Sequence, residues 1–372
     1  MGFLDRYRQF EEIKEEELNR LRRARREREK QLALQRVDDL DLSGTEWPEL
    51  PYSEIVNAAI YTARGRVNSY PDRHAAGVRR LLGERHGIEP ERIVLGNGAA
   101  ELLRAAAGVL LGPGDELVTP WPSYPLYPLL ATHAGARPVF VDTGPAGEEL
   151  DPLLEAVNER TRVVVLCNPN DPTGTHLPSQ RVAALLARLP ERVHVLLDEA
   201  LVHFQDREPE DACLRLTDAR RNLLAVRSFS KIYGLSGLRA GYAVGSDASA
   251  DLLGRIAPAL GVNALTQAAV EYALRAADRE IDRRRLNVHR ERRRLLEALR
   301  ELPVDATDSQ ANFVWLRARD MSGVELAARL RDYGVIVAHG GPLGAEDHVR
   351  AAVRDAPATD RLLAALGRAL ER

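Results

Sequence analysis

One lysine in this sequence stands apart from the arginines that supply nearly all of the positive charge. The 372 residues include 52 lysines and arginines, of which only Lys14, Lys30 and Lys231 are lysines. The first two lie in a highly charged N-terminal stretch, so Lys231 is the only lysine in the body of the chain. A guanidinium group stays protonated, whereas an amine can lose its proton and attack a carbonyl carbon. Because this chain places arginine at most cationic positions, Lys231 is interpreted as a Schiff-base lysine rather than a surface lysine.

Polar and glycine-rich segments follow several apolar runs of the chain. Gly96-Asn-Gly-Ala-Ala-Glu101 opens an apolar helix, and backbone amides at a helix start can hold a phosphate. Asp198 follows the buried run His194–Leu197, and Tyr124 lies in the aromatic segment Trp121–Tyr127. Each feature alone has an ordinary explanation as a tight turn, a helix cap or a core aromatic ring.

Together these groups supply what a pyridoxal phosphate site requires. A lysine forms an imine with the cofactor, and a carboxylate keeps the pyridine nitrogen protonated. An aromatic ring stacks on the pyridine ring, while hydroxyl groups, an arginine and a helix start hold the phosphate. The hydroxyl groups occur in the segment Ser228-x-Ser-Lys231, and Arg239 lies eight residues beyond the lysine.

The alternation of short apolar runs with helical stretches predicts a mainly parallel sheet covered on both faces. The predicted strands are Arg92–Leu95, Glu116–Thr119, Arg137–Val141, Arg162–Cys167, His194–Leu197, Asn222–Arg227 and Leu238–Val244. Ligands of such sheets bind beyond the carboxyl ends of the strands, where the polar segments of this chain fall. The sequence therefore predicts an α/β domain with a site at that edge.

The chain is expected to have three parts. Residues 1–40 are rich in Glu and Arg and predict a charged helical arm. Residues 41–254 are expected to form a large domain that opens with an entry segment, 41–68, in which turn-rich Asp41–Pro51 precedes a helical stretch. Residues 255–372 predict a smaller α+β domain with helices at 323–332 and 358–371. Its predicted strands are Asn312–Leu316, Val335–Ala338 and His348–Val353.

Composition and charge exclude several classes of function. The net charge of −3 gives no bias toward nucleic acid or a membrane surface. Two cysteines, Cys167 and Cys213, indicate neither a disulfide framework nor a zinc site, and no other metal site is expected. No run approaches the roughly 18 apolar residues of a membrane span. A cytoplasmic protein with no nucleic-acid or membrane partner is therefore expected.

Over residues 40–372 the sequence resembles the fold-type I pyridoxal-phosphate-dependent aminotransferases of class I/II. It is most similar to the branch that holds histidinol-phosphate aminotransferase and threonine-phosphate decarboxylase. Several spaced motifs agree in order. They are Tyr70-Pro, Gly96-Asn-Gly, Pro122-Ser-Tyr124, Asn168-Pro-Asn-x-Pro-Thr-Gly174, Asp198-Glu-Ala, Ser228-x-Ser-Lys231, Gly237-Leu-Arg239, Ala311-Asn-Phe313 and Val349-Arg350.

The resemblance implies a role for each motif residue around pyridoxal 5'-phosphate. Lys231 carries the cofactor, Asp198 pairs with its ring nitrogen, and Tyr124 stacks on the ring. The cofactor phosphate is implied to bind the amides of Ala99 and Ala100 and the side chains of Ser228, Ser230 and Arg239. Asn168 and Asp171 line the same cofactor.

The resemblance also implies a substrate site and a homodimer. Arg350 would bind the substrate carboxylate, with Asn312 nearby. Tyr70 would reach the cofactor phosphate of the neighbouring subunit, so that each site takes a residue from a second copy of the chain. A small-molecule amino donor and a 2-oxo acid acceptor are the expected substrates.

Four positions depart from the family pattern. Asp171 replaces an Asn and Leu201 replaces a Tyr, two side chains that normally donate hydrogen bonds to the phenolic oxygen of the cofactor. Losing these donors stabilises the protonated imine, so we expect its pKa to be raised. Ala338 and Arg354 stand where relatives often carry Arg and Gly, near the expected substrate site.

Three functions are compatible with these residues. The first is an aminotransferase that moves an amino group between an amino acid, or an amino-phosphate compound, and a 2-oxo acid through the Lys231 Schiff base. The second is a decarboxylase or lyase of the threonine-phosphate decarboxylase type on the same scaffold. The third, a non-enzymatic amine sensor, is disfavoured because the N-terminal arm shows no helix-turn-helix pattern.

Overall fold

The structure is a computed structural model that describes residues 20, 23, 38–144 and 150–371. The chain divides into two compact units, Met1–Leu40 and Asp41–Arg372. Most of the predicted charged arm lies outside the described residues, and the two arginines described within it, Arg20 and Arg23, are helical. A seven-stranded and a four-stranded sheet both belong to the second unit.

A mainly parallel sheet forms the centre of this unit, which confirms the predicted α/β class. Strand β1 is Leu40–Asp41, and the central strands are β2 (Ile93–Gly96), β3 (Glu116–Pro120), β4 (Arg137–Val141), β5 (Thr161–Cys167), β6 (His194–Asp198), β7 (Leu223–Ser228) and β8 (Gly241–Val244). The central order is β2-β8-β7-β6-β5-β3-β4. Pairing is parallel from β4 to β7, whereas β8 is antiparallel to both of its neighbours.

β8 is reversed because its connection from β7 contains no crossover helix. Residues 229–240, all of them described, form only a short 3₁₀ turn at Ser236–Leu238. A parallel partner would need a crossover, usually an α-helix. The predicted start of this strand, Leu238, is wrong, since Arg239 has a left-handed φ of 55° that interrupts extended backbone. The connection therefore turns back at the carboxyl end of β7 and keeps Lys231 there.

Helices cover the sheet and build the smaller domain. Their bounds are α1 (Ser53–Arg66), α2 (Ala76–His86), α3 (Ala99–Leu110), α4 (Leu126–His133), α5 (Asp151–Ala156), α6 (Ser179–Arg188), α7 (Ala250–Ile256), α8 (Ala264–Ala276), α9 (Asp278–Leu299), α10 (Gly323–Asp332) and α11 (Ala356–Leu370). The last two lie within two residues of their predicted ranges. None of the described helices is long and apolar enough to cross a membrane.

β5 shows why the central strands have uninterrupted apolar sequences. Val163, Val165 and Cys167 pack in a cluster that includes the buried side chains of α3. Val164 and Leu166 point to the opposite face, where they pack against α6. Because successive strand side chains alternate between faces and both faces are covered, the run Val163–Cys167 leaves no position for a polar residue.

The smaller sheet is antiparallel. Its strands are β9 (Val304–Ala306), β10 (Phe313–Ala318), β12 (Ala338–His339) and β13 (Val349–Ala352), in the order β12-β13-β10-β9. The predicted single strand Val335–Ala338 is wrong, because β11 (Val335–Ile336) lies outside this sheet and only Ala338–His339 pairs with β13. The register places Trp315 of β10 directly opposite Arg350 of β13, so their side chains share one face of the sheet. The domain boundary at residue 254 stays a prediction.

Candidate active site

The carboxyl ends of β6 and β7 bring the two central residues of the predicted site to one edge of the sheet. Asp198 is the last residue of β6 and is buried, and Lys231 lies three residues beyond Ser228, the last residue of β7. The two strands pair in parallel, so their ends are adjacent. The predicted position of the site beyond these strands therefore follows from the strand order.

Asp198 is a buried carboxylate with two hydrogen-bond donors. The Tyr127 hydroxyl donates to Oδ2 at 2.9 Å, and the Ala200 N–H donates to Oδ1 at 3.0 Å. Burial raises the pKa of Asp198 above its ordinary value, and these two donors partly oppose that rise. A buried charge is costly unless it is paired, and the protonated ring nitrogen of the predicted cofactor would be a cationic partner for this carboxylate.

Lys231 points into the same region and donates a hydrogen bond to the Thr45 hydroxyl. Burial lowers the pKa of the Lys231 amine, and the negative charge of Asp171 partly offsets that effect. A lowered pKa increases the fraction of neutral amine, the form that attacks a carbonyl or accepts a proton. Thr45 was not anticipated from the sequence, where it is one polar residue in a turn-rich segment.

A candidate phosphate cradle lies where β2 leads into α3. Gly98, with a φ of 91°, precedes the helix, so the amides of Ala99 and Ala100 form its first turn. A Cβ added at Gly98 would lie 2.5 Å from Nη2 of Arg239, which shows how closely the guanidinium approaches the backbone. A helix N-terminus beside an arginine favours a phosphate, so these residues fit the phosphate of the predicted cofactor.

The two serines of the Ser-x-Ser-Lys segment lie beside this cradle. Arg239 Nη1 is 3.4 Å from the Ser230 hydroxyl oxygen, and the Ser230 N–H donates to the Ser228 hydroxyl at 3.0 Å. The predicted phosphate ligands on both chain segments are therefore brought together, although they are more than 120 residues apart in sequence.

Tyr124 lies at the mouth of the site and is 39% exposed. Its ring centroid is 5.8 Å from that of Tyr127 at an angle of 73°. Partial burial raises the pKa of Tyr124, and the nearby charges of Asp198 and Asp171 add to that rise. The ring therefore stands beside both carboxylates, with an open face available for stacking.

The polar loop after β5 places its two predicted residues differently. Asn168 bonds the backbone of Leu177 in both directions, at 2.9 Å from its Nδ2 and at 2.8 Å to its Oδ1, which fixes the loop. Asp171 instead faces the site and forms an ion pair of 2.5 Å with Arg350. Asn170, between them, donates to the Pro122 carbonyl and the Thr173 hydroxyl, so its amide protons are already engaged.

The predicted substrate-binding residues are Arg350, which is one member of this ion pair, and Asn312. Arg350 Nη2 donates to the Ser43 carbonyl at 3.0 Å, and Asn312 Nδ2 donates to the Thr45 carbonyl at 2.9 Å. Both side chains are buried, yet Arg350 Nε and Asn312 Oδ1 have no hydrogen-bond partner among the described residues. Buried polar atoms without partners are rare in proteins, so these two mark a place for ligand atoms.

Tyr70 and Leu201 are two further positions that the sequence singles out. Tyr70 follows α1 in an exposed loop and has 84% of its surface exposed, so it does not join the site of its own chain. Leu201 is buried and supplies no hydrogen-bond donor, as its residue type requires. Across residues 38–144 and 150–371, no group of three His, Cys, Asp or Glu side chains could hold a metal ion.

A buried ion-pair network joins the carboxyl ends of β6 and β7. Arg227, the residue before Ser228, is fully buried and contacts Glu199, the residue after Asp198, at 2.9 Å. Its Nη1 also contacts Asp211 at 2.7 Å. The network therefore ties the last residues of β6 to those of β7, which are the two positions that present the site.

Replacing Arg227 by Met should lower the free energy of unfolding by about 3–5 kcal/mol, because Glu199 and Asp211 would lose a buried partner. Arg317 is a matched control, since it pairs with Asp305 and Asp347 while 49% of its side chain is exposed. Arg317→Met should change stability by less than about 1 kcal/mol. Urea unfolding followed by circular dichroism measures both, and equal effects would contradict the structural role given to Arg227.

Comparison with known proteins identifies the family of this chain. A family model described as aminotransferase class I and II matches residues 37–366. The aromatic amino acid aminotransferase of Corynebacterium efficiens is 36% identical over 332 residues, which cover 88% of this chain and 92% of that protein. Histidinol-phosphate aminotransferase 1 of Nitrosococcus oceani is 37% identical over 313 residues, 84% of each chain.

A solved structure agrees with both sequence relatives. The histidinol-phosphate aminotransferase of Sinorhizobium meliloti, crystallised in complex with pyridoxal-5'-phosphate, superposes with a TM-score of 0.79 and 27% identity over 90% of this chain and 91% of that chain. These findings confirm the predicted fold type, aminotransferase activity and pyridoxal 5'-phosphate cofactor, and they do not favour the decarboxylase alternative. With a family model covering most of its length, the chain belongs to the class I and II aminotransferases.

Proposed function

We propose that Lys231 holds the cofactor and transfers the proton during exchange of an amino group between an amino compound and a 2-oxo acid. The observation that carries this proposal is Lys231, the one lysine among the described residues, placed at the sheet edge where β6 ends at Asp198. Bound pyridoxal phosphate supplies an electrophilic carbon and an electron-withdrawing ring. Lys231, whose pKa is lowered by burial, then accepts and returns the substrate proton.

The other residues hold the reacting groups in place. Asp198 would keep the ring nitrogen of the cofactor protonated, and Tyr124 would stack on its ring. The cradle at Gly98 and Arg239 fixes the phosphate. Arg350 and Asn312, whose unpartnered atoms are buried, orient the substrate. Asn168 acts indirectly, because its side chain is committed to the loop backbone.

The substrate proposed here carries a planar ring. A cavity of about 1040 Å³ is lined by Trp121, Trp315 and His348 together with Pro122 and Thr173, and by charged side chains that include Asp305 and Arg317. Trp315 shares its sheet face with Arg350, and it stacks on His348 with ring centroids 4.8 Å apart. Relatives named for aromatic amino acids and for histidinol phosphate both point to ring-bearing amino compounds.

Substrate scope is tested with the purified enzyme carrying its cofactor. Phenylalanine, tyrosine, histidinol phosphate and aspartate are offered with 2-oxoglutarate, while cofactor absorbance and carbon dioxide release are recorded. We expect reversible conversion of the cofactor to its aminated form, with at least one ring-bearing donor faster than aspartate. Faster turnover of aspartate would reject the ring preference, and carbon dioxide without amino transfer would reject the reaction itself.

We infer a homodimer from the surface around α1. Apolar side chains are concentrated there, with Leu50 at 90%, Tyr61 at 81% and Tyr70 at 84% exposure. Contiguous exposed apolar surface of this kind marks interaction sites. The second copy proposed to cover it would receive Tyr70 at its cofactor phosphate.

Subunit complementation, in which two impaired variants are mixed, tests whether Tyr70 acts in the site of a second copy. Lys231→Ala and Tyr70→Phe chains, each impaired alone, should regain activity when unfolded and refolded together. One hybrid site then contains both native residues, so up to about a quarter of the sites recover if chains pair at random. The starting condition is that Tyr70→Phe alone is clearly impaired. Mixed dimers with no recovery would show that each site is built from one chain.

A further inference from the structure

Arg350 already has a buried negative partner within its own chain. Its Nη1 lies 2.5 Å from Asp171 Oδ1, and the two side chains are only 11% and 7% exposed. Nη2 is taken up by the Ser43 carbonyl, and the guanidinium carbon lies 5.4 Å from the centroid of the Phe313 ring. The guanidinium is thus held in position and charge-paired by protein groups.

The guanidinium of Arg350 keeps N–H donors that Asp171 and Ser43 do not use. Its buried Nε has no partner within the described part of the chain, and the same holds for Asn312 Oδ1. The orientation of the Asn312 amide is set by Thr45, whose backbone carbonyl can only accept and therefore faces Nδ2. A substrate group that reaches these two atoms arrives beside Asp171.

An anionic substrate group would share Arg350 with the Asp171 carboxylate. One positive charge would then face two negative charges in a poorly hydrated site, where like charges repel more strongly than in water. An uncharged group at the same position would avoid this repulsion. Asparagine at position 171 would keep an acceptor for Arg350 and remove the negative charge.

We propose that Asp171 is a specificity-determining residue that competes with the anionic group of the substrate for Arg350. It weakens the binding of substrates with a carboxylate or phosphate at this position relative to those with an uncharged group. This inference rests on the proposed role of Arg350 in substrate binding. The alternative, that Asp171 only positions Arg350, predicts the opposite effect of substitution, because a misplaced guanidinium would bind anions less well.

The test measures equilibrium binding to the cofactor-loaded enzyme by calorimetry, with two probes that lack an amino group and cannot react. 3-Phenylpropionate carries the anion, and 3-phenyl-1-propanol is its uncharged counterpart. The variants are Asp171→Asn, Arg350→Met and, as a charge-matched control, Asp218→Asn. Asp218 forms an ion pair with Arg92, which lies just before the amino end of β2. Its substitution by Asn therefore removes one negative charge, as Asp171→Asn does, but far from the site.

Asp171→Asn is expected to bind 3-phenylpropionate at least about 10-fold more tightly than the wild type, a change of about 1.4 kcal/mol. Binding of the alcohol should stay within about twofold, which also shows that the variant is folded. Asp218→Asn should behave as the wild type, and Arg350→Met should lose affinity for the acid.

Two results would overturn the proposal. Unchanged or weaker binding of the acid to Asp171→Asn, with loss of binding in Arg350→Met, would make Asp171 a positioning residue for Arg350. Equal acid binding by the wild type and Arg350→Met would remove Arg350 from the anion site, and the inference with it. Neither result touches the assignment of amino transfer, which depends on the separate substrate assay.

Discussion

Replacing Lys231 by Ala is expected to eliminate the covalent cofactor linkage and to lower kcat by about 10⁴-fold or more, the upper range for loss of a catalytic base. In the proposed function Lys231 has two roles, since it would hold the cofactor and would move the substrate proton. Burial lowers its pKa, so an amine that is mostly protonated in water becomes available as a base in the site. Borohydride reduction followed by peptide mapping should label Lys231 in the wild type and give no label in the variant.

The two other lysines of the chain provide a matched control. The double variant Lys14→Arg and Lys30→Arg should keep the yellow colour, the reductive label and the turnover of the wild type. Lys231→Arg tests charge separately, because guanidinium keeps the positive charge but forms no imine. A label at Lys14 or Lys30, or appreciable turnover in Lys231→Arg, would refute the assignment.

The positions of the site residues along the chain could be predicted because each follows a strand of a recognisable type. Asp198 and Lys231 stand at the ends of apolar runs, and a parallel sheet brings such ends to one edge. The glycine turn before α3 could be predicted in the same way, since Gly98 has a positive φ that few residues adopt. Local sequence therefore indicates where the strands end and where the glycine turn before α3 lies.

Contacts between distant segments could not be predicted. The hydrogen bond from Lys231 to Thr45 joins residues 186 positions apart, and the ion pair of Arg350 with Asp171 joins residues 179 apart. Such contacts depend on how the small sheet packs against the strand ends, for which no local pattern exists. From the residue types alone, Asp171 was a lost hydrogen-bond donor, whereas in the structure it is the counter-charge of the proposed substrate arginine.

Tyr127 was overlooked for a different reason. It lies three residues after Tyr124, and both belong to an aromatic run that predicts either a stacking ring or core packing. The structure divides these roles, since Tyr124 is partly exposed while Tyr127 is fully buried with its hydroxyl on Asp198. Buried tyrosine hydroxyls usually find a partner, and the nearby strand end carrying Asp198 was the available signal.

Asp198→Asn is expected to retain the cofactor but to slow turnover by about 10³-fold, comparable to the loss of a strong electrostatic group from an active site. The phosphate cradle and Lys231 are untouched by this change, so the cofactor still binds. The amide keeps an oxygen for the Ala200 N–H, but it carries no negative charge to hold a proton on the ring nitrogen. Without that charge, the variant side chain would stabilise the loss of the substrate proton less well than Asp198 does.

Tyr127→Phe provides the graded comparison, because it removes one hydrogen bond from Asp198 and leaves the charge in place. We expect a smaller loss of turnover, about 10-fold, since a hydrogen bond to a charged group contributes about 1.5–3 kcal/mol. Cofactor content is measured by absorbance after denaturation, and single-turnover rates with a fixed amino donor give the chemical step. If Asp198→Asn reacted as fast as Tyr127→Phe, the charge of Asp198 would not be what drives the step, and the partner of the ring nitrogen would have to be sought at another residue.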